Sequence, residues 1–349
     1  MAGRSVYIIH EYGAPTHFYA LDRLLSSRGI PSGKYELNLL GQLKKAVKTL
    51  SFQPLRRLFH NLGFLLSLPF LKPAKVVLGL APWHWSLVLL LPFLRRHQVY
   101  YFTSYICWDG SRQVHRGGPL AKAAWRKFLK QRAAHIFAVS ERSKSELVRC
   151  GWAAASDVTV VGHSYITRPA LSLSRPKENR FIVVGDLKPI KGIGEILACF
   201  ASRPGAELTV IGRGEQEALV KEAAAVCPNI RFAGYISDQE ALFREYMAHS
   251  FLILNCKRIG PSEELFGMVL IEASACGLVP LAADHSGPRE ILRDGAAGVV
   301  FKEGELASAV DTCMGWSDGK YQAVRSSAIE NGRRFYVENV AERWKKVLE

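Results

Sequence analysis

Between Glu36 and Asp109 the chain has no acidic residue. An ordinary solvated surface mixes both signs of charge, so this gap excludes one. The nine aspartates include no Asp-x-Asp pair, and the sequence therefore offers no paired carboxylates of the kind that hold a divalent metal against a diphosphate. Seven cysteines, an odd number, follow neither zinc nor disulfide-framework spacing. They read as buried thiols in a reducing compartment. The opening MAGRSVYIIHEYG has too short an apolar run for a secretory signal and reads as a first buried strand. A spanning segment is also lacking. Residues 76–94 are 19 uncharged positions, but Pro82 and Pro92 divide them, with Trp83-His84-Trp85 between. That stretch reads as a strand (Val76–Leu80), a loop and a buried helix (Ser86–Leu94) rather than as a membrane helix of about 20 residues.

What is present is a strongly uneven charge. The net charge is +15; residues 1–175 hold 25 Lys and Arg against 7 Asp and Glu, for +18, and the rest sums to −3. A half so basic faces a polyanion: nucleic acid, an anionic bilayer or an acidic substrate. No specific nucleic acid is expected, because the cations are interleaved with Leu, Phe and Trp and no zinc-finger or RNA-binding motif appears. An anionic membrane surface fits better. Leu43, Val47 and Leu50 fall at helical spacing beside Lys44, Lys45 and Lys48, and Leu55, Leu58, Phe59 and Leu62 continue the apolar side beside Arg56 and Arg57. Such a segment lies in a bilayer interface with its cations on anionic headgroups, each contributing about 1 kcal/mol. The competing reading is a core-facing helix with a solvated basic face.

The 349 residues leave room for two domains. Strand and helix signals alternate through both halves, as in a doubly wound α/β fold. Probable strands are Val6–His10, Val99–Thr103, His135–Ser140 and Val158–Val161. A helix is expected over His17–Ser27, a basic helix over Ala121–Ala134 and another over Glu141–Cys150. Residues 164–179, with two prolines and several serines, suit a linker. Strands then recur at Phe181–Val184, Leu208–Gly212, Asn229–Gly234 and Ser250–Asn255. Asn331–Leu348 carries Phe335, Val340, Trp344 and Val347 as a helical stripe.

The densest chemistry lies in residues 260–290, GPSEELFGMVLIEASACGLVPLAADHSGPRE. Glu264 and Glu272 stand eight positions apart, and Gly267 precedes the apolar run Met268–Ile271. Gly267 reads as a helix start, with Glu264 in the loop ahead and Glu272 one turn in. Amides at that helix end can receive an anion, whereas a carboxylate can grip a sugar or ribose diol. Paired carboxylates also admit a glycoside hydrolase.

This Glu-x7-Glu, Glu264-Leu-Phe-Gly-Met-Val-Leu-Ile-Glu272 followed by Ala273 and Gly277, resembles the retaining glycosyltransferases of family 4. The likeness is strong over residues 180–300 and weaker elsewhere. It implies two doubly wound Rossmann-like domains facing a cleft, the glycosyltransferase-B fold. The domains would be an acceptor- and membrane-facing unit (1–163), the linker (164–179), a nucleotide-sugar unit (180–330) and a C-terminal helix returning to the first (331–349). The resemblance further implies that Glu264 contacts the donor sugar and Glu272 the ribose, with the amides of Phe266, Gly267 and Met268 at the diphosphate. Gly13 would belong to a glycine loop against that diphosphate, and Tyr235 would lie near the base.

In the family pattern Gly-Arg-Leu-x3-Lys-Gly, Lys191 matches, but Asp186 stands where Arg is expected. Arg213 in turn occupies a position where Asp is common. The charges are exchanged between strand ends, and Arg213 is the first candidate for the missing cation, with Lys188 second. The alternative leaves Lys191 to work alone. The family's His near Tyr105 is absent. His17, Tyr105, Asp109, Arg112 and His115 remain acceptor candidates, balanced against a polar surface loop, and Lys257 and Arg258 either reach the donor or are solvated. The resulting expectation is a metal-independent enzyme without a cofactor. It would move a sugar from a nucleotide-diphosphate sugar to a lipid-linked, lipopolysaccharide or exopolysaccharide acceptor at the inner face of the cell membrane. An inactive scaffold of the same fold and a basic nucleic-acid-binding protein are the alternatives.

Overall fold

A computed structural model describes residues 5–12, 15–38, 52–110, 117–171, 176–260 and 263–349. The chain forms two compact units. One comprises Met1–His163 with Val340–Glu349, and the other comprises Ser164–Asn339.

The first unit is built on a parallel sheet of six strands: β1 (Val6–His10), β2 (Ser32–Glu36), β3 (Lys75–Gly79), β4 (Gln98–Thr103), β5 (Ala133–Ala138) and β6 (Val158–Val160), in the order β2-β1-β3-β4-β5-β6. The central strands are apolar almost throughout because helices cover both faces of such a sheet. Val76, Val77, Leu78, Tyr101 and Phe137 are fully buried. Tryptophans fill one side of this core, with Trp83 against Trp152 at 4.6 Å and Trp108 at 5.9 Å between ring centroids. Strand β2 gives no sequence signal. Its Ser-Gly-Lys-Tyr-Glu lies at the sheet edge and is half exposed, so neither an apolar run nor alternation marks it.

The second unit repeats the architecture with β7 (Arg180–Asp186), β8 (Glu207–Arg213), β9 (Ile230–Gly234), β10 (Phe251–Leu254), β11 (Val279–Ala283) and β12 (Val299–Phe301), in the order β12-β11-β10-β7-β8-β9. The winding reverses between β7 and β10. A doubly wound sheet binds its ligands beyond the carboxyl ends of the strands at such a reversal. Strands β7 and β8 run in register to their last residues, Gly185 opposite Gly212 and Asp186 opposite Arg213.

The C-terminal segment differs from the single helix expected over 331–348. The helix Asp318–Arg333 ends, the backbone turns, and only Val337–Ala341 and the 3-10 turn Glu342–Val347 follow. The interruption has a clear cause. Tyr165 N donates to Phe335 O, and Val337 N donates to Tyr165 O at 3.1 Å, so these groups pair with an extended strand instead of with a helical turn. Beyond the break, buried Trp344 packs on Phe137, Phe102 and Phe18 of the first unit. Other deviations are local: the basic helix ends at Lys127, followed by a π turn over Phe128–Arg132.

Among the described residues no helix is long and apolar enough to cross a membrane.

At Gly212 φ is +154°, and a Cβ there would lie 1.9 Å from Gly185 O. Gly212→Ala is expected to destabilise the second unit by about 2–4 kcal/mol, read as a fall in the denaturant midpoint.

Candidate active site

Two connections in the second unit meet where its winding reverses. After β7 the chain makes a short 3-10 turn, Pro189–Lys191, closed by Gly192 in the left-handed region (φ +64°). After β10 it continues through Asn255 and Cys256. The two are joined tightly: a side chain at Gly192 would lie 2.5 Å from Asn255 O, and Lys257 N donates to Ile190 O at 2.8 Å. This juncture brings Lys191 to Glu264, its Nζ 2.8 Å from Oε2. Cys256 completes the group, with Sγ 3.4 Å from both Lys191 Nζ and Glu264 Oε2.

Electrostatics keeps the pair charged. Burial alone would raise the Glu264 carboxyl, but the Lys191 charge and hydrogen bonds from Lys191, Cys256 and the Phe266 amide hold it below its ordinary value. Burial likewise opposes the Lys191 charge, and Cys256 and Glu264 outweigh it, so the ammonium titrates above its usual value. Burial pushes the Cys256 thiol up to about 12, and it donates to the carboxylate as a neutral group.

The loop carrying Glu264 is anchored by a residue that the sequence did not single out. The Glu264 amide donates to His285 Nδ1 at 2.9 Å, and the fully buried imidazole turns Nε2 toward Glu303 Oε1 at 3.1 Å. Because Nδ1 accepts, Nε2 carries the proton. Burial lowers the His285 pKa, which keeps the ring in this neutral form. Glu263 Oε2 accepts from Ser286 N, and Arg258 bridges Glu303 and Glu263. Lys257 pairs with Glu195. Lys257 and Arg258 are thus committed to neighbouring carboxylates. Gly287 fits against this loop so closely that a Cβ would lie 2.3 Å from Leu265 C.

Gly267, at φ +88°, caps the helix Met268–Ala275, whose first amides lack intrahelical partners. Phe266 is buried and packs edge-on against Phe335; its amide lies 3.5 Å from Glu264 Oε1. Glu272, one turn into the helix, accepts from the Tyr246 hydroxyl at 3.3 Å, and burial raises its carboxyl to about 7. Asp186 is paired with Lys188 at 2.8 Å. Arg213, its register partner, stands 4.1 Å over the exposed Tyr235 ring. The structure therefore groups Lys191 with Glu264, and Asp186 with Lys188, Arg213 and Tyr235.

In the first unit, a cavity of about 210 Å³ opens beyond β1, β3 and β4 and is lined by His10, Glu11, His17, Thr103 and Tyr105 among others. His17 stacks on His163 at 4.5 Å, and burial lowers the pKa of both. Glu11, not foreseen as a site residue, is buried, and its Oε2 accepts from Ala81 N. Asp109 does not line this cavity; it is exposed, 3.8 Å from Arg149. Gly13, Lys44, Lys45, Lys48, Arg112 and His115 lie outside the described residues.

Residues 169–335 match the family described as "Glycosyl transferases group 1". This stretch is a group 1 glycosyl transferase domain. Two curated relatives resemble about half of the chain. The phosphatidyl-myo-inositol mannosyltransferase of Mycobacterium leprae is 30% identical over 44% of this chain and 38% of its own length. The D-inositol 3-phosphate glycosyltransferase of Mycobacterium marinum is 28% identical over 50% of this chain and 39% of its own. The chain thus spans less than two fifths of these relatives. Among solved structures, Anabaena HepE in complex with UDP aligns over 97% of both chains with a TM-score of 0.65 and 18% identity. The two-domain glycosyltransferase-B fold is therefore shared across the chain's length.

Burial places the titration of Glu272 near neutral pH. Below about 7 its carboxyl is protonated, and above it two anionic oxygens become available to hydroxyls. Nucleotide affinity, measured by calorimetry with UDP, is expected to rise as pH increases through 7. In Glu272→Gln that rise is expected to disappear.

Proposed function

We propose that the protein is a retaining, metal-independent glycosyltransferase that transfers a sugar from a nucleotide-diphosphate sugar to a lipid-linked oligosaccharide, lipopolysaccharide or exopolysaccharide. It would work at the cytoplasmic face of the cell membrane. The observation that carries this reading is the Lys191–Glu264 pair, set at the winding reversal beside a glycine-capped helix end. As the glycosidic bond breaks, the leaving nucleoside diphosphate gains charge. A fixed ammonium and fixed amides stabilise that charge more than they stabilise the ground state. In this reading Lys191 and the Gly267 and Met268 amides receive the diphosphate, Glu264 orients the donor sugar and Glu272 grips the ribose. The leaving phosphate assists deprotonation of the acceptor hydroxyl, as the family resemblance implies. Arg213 supplies the cation that Asp186 cannot.

A lipid acceptor is supported by the relative named for phosphatidyl-myo-inositol and by the charge of the first 175 residues. A membrane-facing surface is supported by the helix Phe52–Ser67 and its continuation, on which Phe52, Phe59, Leu66 and Phe70 are 77%, 63%, 56% and 85% exposed. Four large apolar side chains at steps of seven, seven and four residues form a stripe along one side. On a monomer in water such a stripe is costly, whereas an interface buries it.

Turnover of a panel of nucleotide sugars tests the assignment. Lys191→Ala is expected to lower kcat/KM by about 10²–10³-fold and to destabilise the fold by about 1–2 kcal/mol, because Glu264 is left unpaired. Arg213→Ala with unchanged donor affinity and rate would refute the exchanged-cation role. Failure to bind any nucleotide would instead favour an inactive scaffold. For the membrane face, Phe52→Ser, Phe59→Ser and Leu66→Ser together are expected to abolish co-sedimentation with phosphatidylglycerol vesicles. Retention on DNA with a steep salt dependence and no vesicle binding would favour the nucleic-acid reading.

A further inference from the structure

The N-terminal half of the helix Phe52–Ser67 turns polar side chains toward the sheet, while its C-terminal half buries Phe64 in the core. In a globular unit the residues at i, i+3, i+4, i+7 and i+8 are apolar and face the core. Here those positions are Gln53, Arg56, Arg57, His60 and Asn61, and all five line a cavity of about 590 Å³ closed on its other side by β1 and β2. The large apolar residues Phe52, Phe59 and Leu66 stand out in solvent instead.

The lining has a definite chemistry. Lys34 is already paired with Asp22. The Arg56 and Arg57 guanidiniums form neither an ion pair nor a hydrogen bond with another described residue. Two guanidiniums lining one cavity suit the oxygens of a phosphate, which accept planar, bidentate donors. Glu36 and Gln53 line the same space, and a carboxylate with an amide suits hydroxyl groups. The framework behind them is rigid: Tyr35 stacks between His60, at 5.5 Å, and Phe64, and Asn61 Oδ1 accepts from Glu36 N. No carboxylate between positions 36 and 109 competes for the arginines through local sequence.

We propose that this cavity binds the phosphate and hydroxyls of a phosphorylated polyol, the head of the acceptor, with Arg56 and Arg57 on the phosphate and Glu36 and Gln53 on the hydroxyls. The assignment rests on the glycosyltransferase reading for its place in the reaction, but not for the binding itself. The same head occurs on a membrane lipid and as a free metabolite. The cavity lining and the exposed apolar stripe share one helix.

The test uses the full-length protein, sn-glycerol 1-phosphate as soluble probe, vesicles of phosphatidylglycerol against phosphatidylcholine, and UDP as an independent ligand. The variant Arg56→Gln/Arg57→Gln alters exposed helix positions, and its thermal melt checks folding. Arg56→Lys/Arg57→Lys, which keeps charge without the planar fork, is the second variant. Lys127→Ala/Lys130→Ala removes the same charge elsewhere. Support is a loss of at least tenfold in affinity for glycerol 1-phosphate or for phosphatidylglycerol vesicles in the glutamine variant. The lysine variant should fall in between, and the control pair and UDP binding should change less than twofold. Dependence on the arginines in the vesicle arm alone assigns the site to a lipid head, and in the soluble arm to a free phosphopolyol. Equal affinity in wild type and the glutamine variant, an equal loss in the control pair, or no binding of either probe would overturn the proposal. If the arginine-dependent binding holds while UDP fails to bind, the cavity stands and the glycosyltransferase reading falls.

Discussion

The ion pair between Lys191 and Glu264 is the contact around which the connections of the second unit are arranged. Neither charge is cheap in that half-buried setting, and each is maintained by the other. Their meeting requires the β7 connection and the loop after β10 to touch, and the left-handed Gly192 against Asn255 permits that approach. The loop in turn needs the His285–Glu303–Arg258 chain to hold the backbone of Glu264. A carboxylate placed by backbone, imidazole and ammonium together has little freedom to drift.

Much of this was legible in the sequence, for physical reasons that differ by element. The strands of the second unit are buried on both faces, so Phe181–Val184 and Phe251–Leu254 appear as unbroken apolar runs. Gly267 announces a helix start because the apolar run follows it directly. The Glu-x7-Glu spacing carried the family likeness, and residues 169–335 match the group 1 glycosyl transferases. The exchange of charge between Asp186 and Arg213 is read from the family pattern, and the two residues stand opposite each other at paired strand ends.

Other features left no trace in composition or period. Strand β2 is a short edge element held by pairing rather than by apolar burial. The C-terminal stripe reads as one helix because periodicity cannot register a tertiary hydrogen bond that interrupts it at Tyr336. His285 and Glu11 each hold distant backbone through a side-chain contact, which no spacing rule detects. The sequence of the helix Phe52–Ser67 is amphipathic, but a 3.6-residue period does not say which face turns inward.

The bridge between Tyr165 and Tyr336 also bears on how the protein assembles. The first unit is discontinuous: its Val340–Glu349 segment, with Trp344 at the aromatic core, returns only after residues 164–339 have been traversed. Closing a disordered loop of that length costs about 3 kcal/mol more than closing one of a few residues. Once the inserted unit has folded, its entry and exit strands lie paired side by side, and the remaining closure is short. Completion of the first core is thereby thermodynamically coupled to prior folding of the second unit. A defect confined to one half would surface as instability in the other.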